Sequence, residues 1–178
     1  MNAYLKEINR SMKMLSNNKR TIFIGQSVKY PGSSIFESLK GIANKKKIEL
    51  PVFEETQMGM SIGLALEGYI PISCYPRFDF LIIALNQLVN HADKINFLTN
   101  NQFNSKIIVR TIVGSTHPLD GGPQHTQDHT LALKKMLKFT KIIKLTNSKV
   151  IYRNYQSALK DKKNKVFLFV ENGNLYTN

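Results

Sequence analysis

The sequence predicts an α/β fold, a single domain built on a six-stranded, mostly parallel sheet with helices on both faces. Segments with helical periodicity alternate with short apolar runs along the whole chain. The 178 residues, of which 42% are hydrophobic, can fill one sizeable core but not two. Six short apolar strands joined by helical crossovers are typical of a parallel sheet covered on both faces.

The elements of the first half are set by periodicity and by helix-end signals. Apolar residues recur at helical spacing over 4–15, and the apolar run after them ends in the turn glycine Gly25. Ser34 and Glu37 predict a capping box, and Gly68 predicts a left-handed helix stop. The predicted helices are 4–15, 34–43, 55–67 and 80–98, and the predicted strands are 20–25, 50–53 and 70–75.

The second half continues the alternation without a repeat or a linker. A loop rich in glycine and proline over 114–124 separates a strand from the next helix. The predicted strands are 106–113, 139–145 and 165–170, and the predicted helices are 126–137 and 149–160. We therefore expect one domain over 1–178, with residues 1–19 as an N-terminal helix leading into it.

The charge of the chain has two interpretations. Lys and Arg total 25 against 12 acidic residues, a formal charge of +13 that by itself suggests a polyanionic partner. Only five of the basic residues are arginine, and the excess of lysine, asparagine and isoleucine is what an AT-rich coding bias produces. The lysine clusters lack the interleaved aromatic residues that base stacking needs. We favour a solvated lysine surface and keep a nucleic-acid-binding module as a remote alternative.

Cysteine content and hydropathy predict a cytoplasmic protein without membrane segments. The single cysteine, Cys74, excludes an internal disulfide framework and agrees with a reducing compartment. The longest apolar stretch, 80–85, is too short to cross a bilayer. An early acidic residue, Glu7, argues against a signal peptide.

In a parallel sheet, ligands bind at the carboxyl ends of strands, so the loops after Phe53, Tyr75 and Val113 are candidate sites. Glu54 and Glu55 open a predicted helix, where capping through the helix dipole is the simpler interpretation. The sharper hypothesis is that Glu54 points into a cleft as a partly buried acid or base.

The other two loops carry aromatic residues and histidines. Aromatic residues over 75–80 either fill the core or form a stacking platform for a flat heterocycle. The loop over 114–124 and the residues after it contain His117, His125 and His129, which are either incidental or placed to move protons. The histidines match no metal-ligand spacing, so we expect no metal site on this chain. The sequence also contains no phosphate-binding glycine motif.

Five segments in order resemble one family. They are Leu-Pro-Val-Phe-Glu at 50–54, Ile-Gly-Leu-Ala-Leu-Glu-Gly at 62–68, Asn-Gln-Leu-Val-Asn at 86–90, Arg-Thr at 110–111 and Gly-Gly-Pro-Gln-His-Thr-Gln at 121–127. Together they resemble the pyrimidine-binding domain of thiamine-diphosphate enzymes, above all the beta subunit of the 2-oxoacid dehydrogenase decarboxylating component, and more distantly transketolase. The resemblance extends over nearly the whole chain from residue 22 to residue 176.

The resemblance implies a role for each candidate residue. Glu54 would hydrogen-bond a pyrimidine ring nitrogen through a protonated carboxyl group, which a buried strand end can supply by raising its pKa. His125 would face the substrate and orient or protonate it. The aromatic residues implied at the pyrimidine are Tyr75, Phe78 and Phe80. Further substrate-side candidates are His117, Gln124 and His129.

The resemblance also implies a partner, because the chain has no Gly-Asp-Gly motif for diphosphate. A separate alpha-type subunit would hold most of the Mg²⁺ and diphosphate contacts in an alpha2beta2 heterotetramer acting on a 2-oxo acid or a ketose. The chain alone would be inactive. Glu55, Arg77 and Lys135 depart from the family pattern, and we expect the family's C-terminal domain to be absent. These departures leave a catalytically inactive structural or regulatory paralogue as the alternative.

Overall fold

The fold was established with a computed structural model that describes residues 2–103, 105–117, 120–163 and 165–176. It confirms the predicted α/β class: six strands form one sheet in the order β2-β1-β3-β4-β6-β5, and every pair is parallel. Pro118 and Leu119 of the predicted loop lie outside the described residues. The strands are β1 (Thr21–Gly25), β2 (Lys47–Glu49), β3 (Ile70–Tyr75), β4 (Ile107–Val113), β5 (Lys141–Leu145) and β6 (Val166–Asn172).

Helical segments connect the strands and cover both faces of the sheet. The α-helices are α1 (Ala3–Ser16), α2 (Ser34–Ser38), α3 (Glu54–Leu66), α4 (Phe78–Leu81), α5 (Ile95–Leu98), α6 (Thr130–Met136) and α7 (Ser148–Lys160). A π-helical turn spans Gln87–Ala92, and short 3₁₀ turns span Asn44–Lys46, Ile82–Ala84 and Gly173–Leu175.

Three predictions in the first half were wrong in detail, the first two of them near β2 and α2. The sheet strand expected over 50–53 lies earlier, in β2, because Pro51 has no N–H to give to a strand ladder. The helix expected over 34–43 ends at Ser38, and its cap is Ser33, whose Oγ accepts from the Phe36 N–H at 3.2 Å.

The helix expected over 80–98 begins earlier, at Phe78, and is broken into several turns. Tertiary contacts fix its far end: buried Asp93 accepts from the backbone N–H groups of Lys138, Phe139 and Thr140 at 2.7–3.0 Å. The Asp93 N–H itself donates to the Leu88 carbonyl, a π-type bond of 2.9 Å. The helix expected over 126–137 is also shorter than predicted.

The sheet separates two hydrophobic cores. On one face, α1 and α7 pack over the strands with residues such as Ile8, Met12 and Ile151 fully buried. On the other face, α3 and α6 cover residues such as Met58 and Leu168. The helices on the two faces therefore both exclude water from the central strands, as expected from the sequence.

A buried ion pair links β4 to β6 beneath the first core. Arg110 and Glu171 are 0% and 1% exposed, and two bonds join the guanidinium to the carboxylate, at 2.8 and 3.0 Å. The Tyr155 hydroxyl donates to Glu171 at 2.5 Å, and the Tyr176 hydroxyl donates to its other oxygen. Burial, followed by the Glu171 carboxylate, raises the pKa of both tyrosines well above the ordinary value, so both remain donors. Arg110 also donates to the Ser38 hydroxyl at 3.1 Å, which ties α2 to the network.

We expect Glu171→Gln to lower the free energy of unfolding by about 3 kcal/mol, because it leaves the Arg110 charge buried without its partner. The double variant Arg110→Met/Glu171→Leu should lose markedly less than the two single variants together. Urea unfolding followed by circular dichroism measures both. Additive losses would show that the two groups do not act as a pair.

Candidate functional site

A cleft of about 300 Å³ opens at the carboxyl ends of β1, β3 and β4. Two of its walls follow Tyr75 and Val113, where the sequence analysis placed candidate residues. The third wall is the loop after β1, which the sequence analysis did not single out. The lining consists of Gln26, Ser27, Gly32, Ser33, Ser34, Pro76, Arg77, Phe80, Ile112, Gly114 and His125.

The loop after β1 is held by Glu49 at the end of β2. One carboxylate oxygen accepts from the Ser27 N–H and the other from the Lys29 N–H, each at 2.6 Å. This arrangement turns the backbone of the loop towards the cleft. The sequence signal was the run of small residues Gly32, Ser33 and Ser34 shortly after a strand end.

Arg77 crosses the cleft from the end of β3. Its Nη1 donates to the Gly114 carbonyl and, at 3.5 Å, to the His125 carbonyl. Both contacts come from the same nitrogen, so the Arg77 side chain ties two points of the loop between β4 and α6 to the end of β3. Arg77 therefore closes part of the cleft and adds a positive charge to it.

His125 lines the cleft, and one of its ring nitrogens already makes a hydrogen bond within the protein. Its Nδ1 lies 3.0 Å from the Gly121 carbonyl, and because a carbonyl only accepts, Nδ1 carries the proton. In the neutral ring, Nε2 is then the acceptor. The Phe80 ring packs edge-on against the imidazole with centroids 5.5 Å apart. Of the predicted site residues, His125 and Phe80 are the two that the structure brings to this cleft.

Glu54 and two of the predicted aromatic residues lie deeper. Glu54 is the first residue of α3 and is only 6% exposed, outside the lining of the cleft. Tyr75 and Phe78 are fully buried in the second core. The Tyr75 hydroxyl donates to the Glu54 backbone carbonyl at 3.2 Å, and burial raises the pKa of Tyr75, an effect to which the Glu54 carboxylate adds.

The remaining predicted residues lie outside the cleft. His129 packs edge-on against Phe78, and its Nε2 is 3.7 Å from Asp79 Oδ1, beyond hydrogen-bond reach. His117 is exposed beside the Thr116 hydroxyl, at 3.2 Å, and Gln124 is exposed.

A polar cluster under the strand ends was missed by sequence reasoning. The side-chain amide of Gln57, on α3, donates to the Ser73 hydroxyl at 3.1 Å and to the Cys74 carbonyl at 3.0 Å. Ser61 donates to the Gln57 carbonyl at 2.8 Å. No local pattern signals these contacts, because α3 and β3 meet only in the folded chain. The cluster fixes the helix that begins with Glu54 against the sheet.

Gly25 ends β1 where no side chain fits. Its φ of +148° is in the region that favours glycine, and a Cβ there would overlap the Cys74 carbonyl oxygen and approach the Gln57 amide. The sequence analysis predicted a turn glycine at this position, and the structure confirms it.

We expect Gly25→Ala to lower the free energy of unfolding by about 2 kcal/mol or more, through backbone strain plus overlap. The matched control is Gly41→Ala: its φ is +79°, but no atom lies within 4 Å of the new Cβ. The control should cost about 1 kcal/mol from backbone strain alone. Urea unfolding measures both variants. Equal losses of stability would show that overlap with the Cys74 carbonyl oxygen does not contribute to the cost of Gly25→Ala.

Curated proteins with related sequences are beta subunits of 2-oxoacid dehydrogenases. The match to the 2-oxoisovalerate dehydrogenase subunit beta of Bacillus subtilis is 28% identical over 130 residues, covering 70% of this chain and 39% of that protein. The match to the pyruvate dehydrogenase E1 component subunit beta of Gracilaria tenuistipitata is 28% identical over 117 residues, covering 64% and 35%. The chain is a homologue of these beta subunits. It spans less than half of their length.

Solved structures give the same fold. A transketolase from Campylobacter jejuni superposes with a TM-score of 0.69 at 15% identity, over 94% of this chain and 25% of that one. A split-gene transketolase, described as an inactive beta4 tetramer, superposes with a TM-score of 0.57 at 14% identity, over 95% and 48%. The beta-subunit homologue therefore has the transketolase-like fold that the sequence predicted. No protein-family model matches the chain.

The described part of the chain lacks two kinds of feature. None of its helices is long and apolar enough to cross a membrane. In the same residues, no three His, Cys, Asp or Glu side chains converge as a metal site.

Proposed function

We propose that the chain is the pyrimidine-binding, beta-type subunit of a split thiamine-diphosphate enzyme that cleaves or forms a carbon–carbon bond beside a carbonyl. One observation supports this proposal: in a chain similar in sequence to beta subunits, His125 of the Gly-Gly-Pro-Gln-His segment lines a cleft at the carboxyl ends of the parallel strands. Ligands of such sheets bind at that edge.

The residues at this edge fit the pyrimidine half of the cofactor. The cleft volume of about 300 Å³ accommodates a single-ring heterocycle, and its lining combines the Phe80 ring with hydroxyl, amide and imidazole groups. Glu54 is outside the lining of the cleft: it is the buried first residue of α3, its backbone carbonyl accepts from the Tyr75 hydroxyl at 3.2 Å, and the Gln57 cluster anchors its helix. The pyrimidine would be held by Glu54 and Phe80, and the diphosphate by another chain.

Each side chain has a separate task in this proposal. Thiamine diphosphate, when bound, supplies the electron sink for the carbon–carbon bond chemistry. Glu54, buried at the start of α3, would hold or accept the proton at a pyrimidine ring nitrogen. His125, whose Nδ1–H donates to the Gly121 carbonyl, would accept from a substrate hydroxyl at Nε2 in the neutral ring, and would donate a proton to a substrate oxygen from Nε2 only when the ring carries both protons.

The proposal includes an alpha-type partner subunit that brings the Mg²⁺ and diphosphate contacts. The split-gene transketolase with the same fold is described as inactive in a tetramer of beta chains. We accordingly expect this chain to be inactive by itself and active in an alpha2beta2 complex, on a 2-oxo acid or a ketose.

An inactive structural or regulatory paralogue is the second candidate. Arg77 favours it, because the guanidinium that bridges Gly114 and His125 occupies part of the cleft. In that case the complex assembles but gives no turnover.

We expect Glu54→Gln to lower the turnover of the assembled complex by about 100-fold or more, because the amide cannot exchange the proton. Glu55→Gln is the matched control, since this exposed neighbour accepts from the side-chain amides of Asn86 and Gln87 at 3.4 Å. Steady-state kinetics on the co-expressed alpha and beta chains measure both. Unchanged turnover in Glu54→Gln would contradict the assigned role.

We expect His125→Gln to lower turnover by about 100-fold while cofactor affinity stays unchanged, because the imidazole faces the substrate rather than the pyrimidine. His91→Gln, on the exposed surface of the π-helical turn, is the control and should behave as wild type. A loss of cofactor affinity equal to the loss of turnover would place His125 at the cofactor instead.

A further inference from the structure

The edge of the sheet opposite the candidate cleft carries a row of basic and aromatic residues. Each of four adjacent strands is preceded by one of them: Arg20 before β1, Tyr69 before β3, Lys106 before β4 and Lys165 before β6. Backbone bonds keep this row in register, with the Ile70 N–H donating to the Arg20 carbonyl at 2.8 Å and the Ile107 N–H to the Lys165 carbonyl at 3.0 Å. With neighbouring strands about 4.8 Å apart, the row is about 14 Å long.

The row opens into a cleft of about 460 Å³. Five basic side chains line it against one acidic residue, Asp161, and the half-exposed ring of Tyr69 forms part of its wall. The basic residues are Arg20, Lys106, Lys160, Lys162 and Lys165. An excess of cations around a concave surface attracts phosphate groups.

Lys106 is the fixed centre of this cleft. Its Nζ donates to the carbonyls of Ala158 and Leu159 at 2.7 and 3.1 Å, and to that of Asp161, at the end of α7. Burial, with repulsion from Lys165 and Arg20, lowers the pKa of Lys106 to about 8, although Asp161 partly opposes the change. The positive charges thus repel one another here, and a bound anion would relieve that repulsion.

A second cleft of about 300 Å³ adjoins the first and shares Lys165 with it. Lys138 and Lys163 line it beside Phe97 and Phe139, whose rings stack with centroids 5.3 Å apart and are 66% and 45% exposed. The one carboxylate in its lining, Asp93, is occupied by backbone N–H groups of 138–140. The second cleft therefore adds cations and exposed aromatic rings to the first.

We propose that these two clefts form one binding surface for single-stranded nucleic acid, the amino-edge band. It consists of Arg20, Tyr69, Phe97, Lys106, Lys138, Phe139, Lys160, Lys162, Lys163 and Lys165. Cations that track phosphates, combined with rings that stack on bases, are the features of single-strand binding surfaces. In the sequence Phe139 adjoins Lys138, whereas the fold is what brings Tyr69 and Phe97 to the lysines of these clefts.

The amino-edge band is independent of the proposed cofactor site. The two sites lie at opposite ends of the same strands, so nucleic acid on the band leaves the candidate cleft open. Binding to the band needs neither thiamine diphosphate nor the alpha-type subunit.

The test is fluorescence anisotropy of the full chain with a labelled oligouridine of about 12 nucleotides, titrated at several KCl concentrations. The triple variant Lys160→Ala/Lys162→Ala/Lys163→Ala should bind about tenfold more weakly and lower the salt slope by about 2, because three phosphate contacts are lost. Tyr69→Leu should weaken binding about tenfold with an unchanged slope, because stacking carries no charge.

The matched control removes three exposed lysines outside the band, in Lys6→Ala/Lys134→Ala/Lys149→Ala. Both triple variants change the net charge equally, so the control separates the band from overall charge and should bind as wild type. Equal weakening in the two triple variants would overturn the proposal. Equal affinity for a duplex of the same sequence would overturn it too, as would binding to phosphatidylserine vesicles without binding to the oligouridine.

Discussion

The buried pair of Arg110 and Glu171 is the constraint on which the sheet depends. It joins β4, one of the two central strands, to its neighbour β6, and it contacts the hydroxyls of Ser38, Tyr155 and Tyr176 from three other parts of the chain. A charge buried without a partner is strongly destabilising, so these groups have to meet for the chain to fold. The pair thereby favours one register between β4 and β6, and this register fixes where the two strands begin and end relative to each other.

The register of the strands determines which residues meet at the carboxyl ends and at the amino ends of the sheet. At the carboxyl edge, the ends of β1, β3 and β4 bring Phe80, Arg77 and His125 around one cleft. At the amino edge, the residues preceding the strands form a basic and aromatic row. One parallel sheet thus separates the site that we propose for a small heterocycle from the surface that we propose for a polyanion. Part of the excess positive charge, formally +13 for the chain, lies at the amino ends of the strands, where five basic residues line one cleft.

Local signals in the sequence predicted the order of the strands and two of the residues that line the candidate cleft, Phe80 and His125. The strand over 70–75 was predicted with its observed bounds because its run of apolar residues is buried on both faces. Gly25 and Gly68 were predicted as turn and stop, and both have positive φ. His125 was found because glycines surround it. The Arg110–Glu171 pair joins residues 61 positions apart, and no periodicity shows such a partner. The contacts of Arg77 and Gln57, and the amino-edge row, also exist only after the strands have been ordered.

The central claim is that this chain supplies the pyrimidine side of a thiamine-diphosphate site that a second subunit completes. Isothermal titration calorimetry of thiamine diphosphate with Mg²⁺ tests it most directly, on the complex of this chain with an alpha-type subunit that carries a Gly-Asp-Gly motif. We expect thiamine diphosphate to bind saturably to the complex and not to bind to either chain alone. A stable complex that binds no cofactor would contradict it.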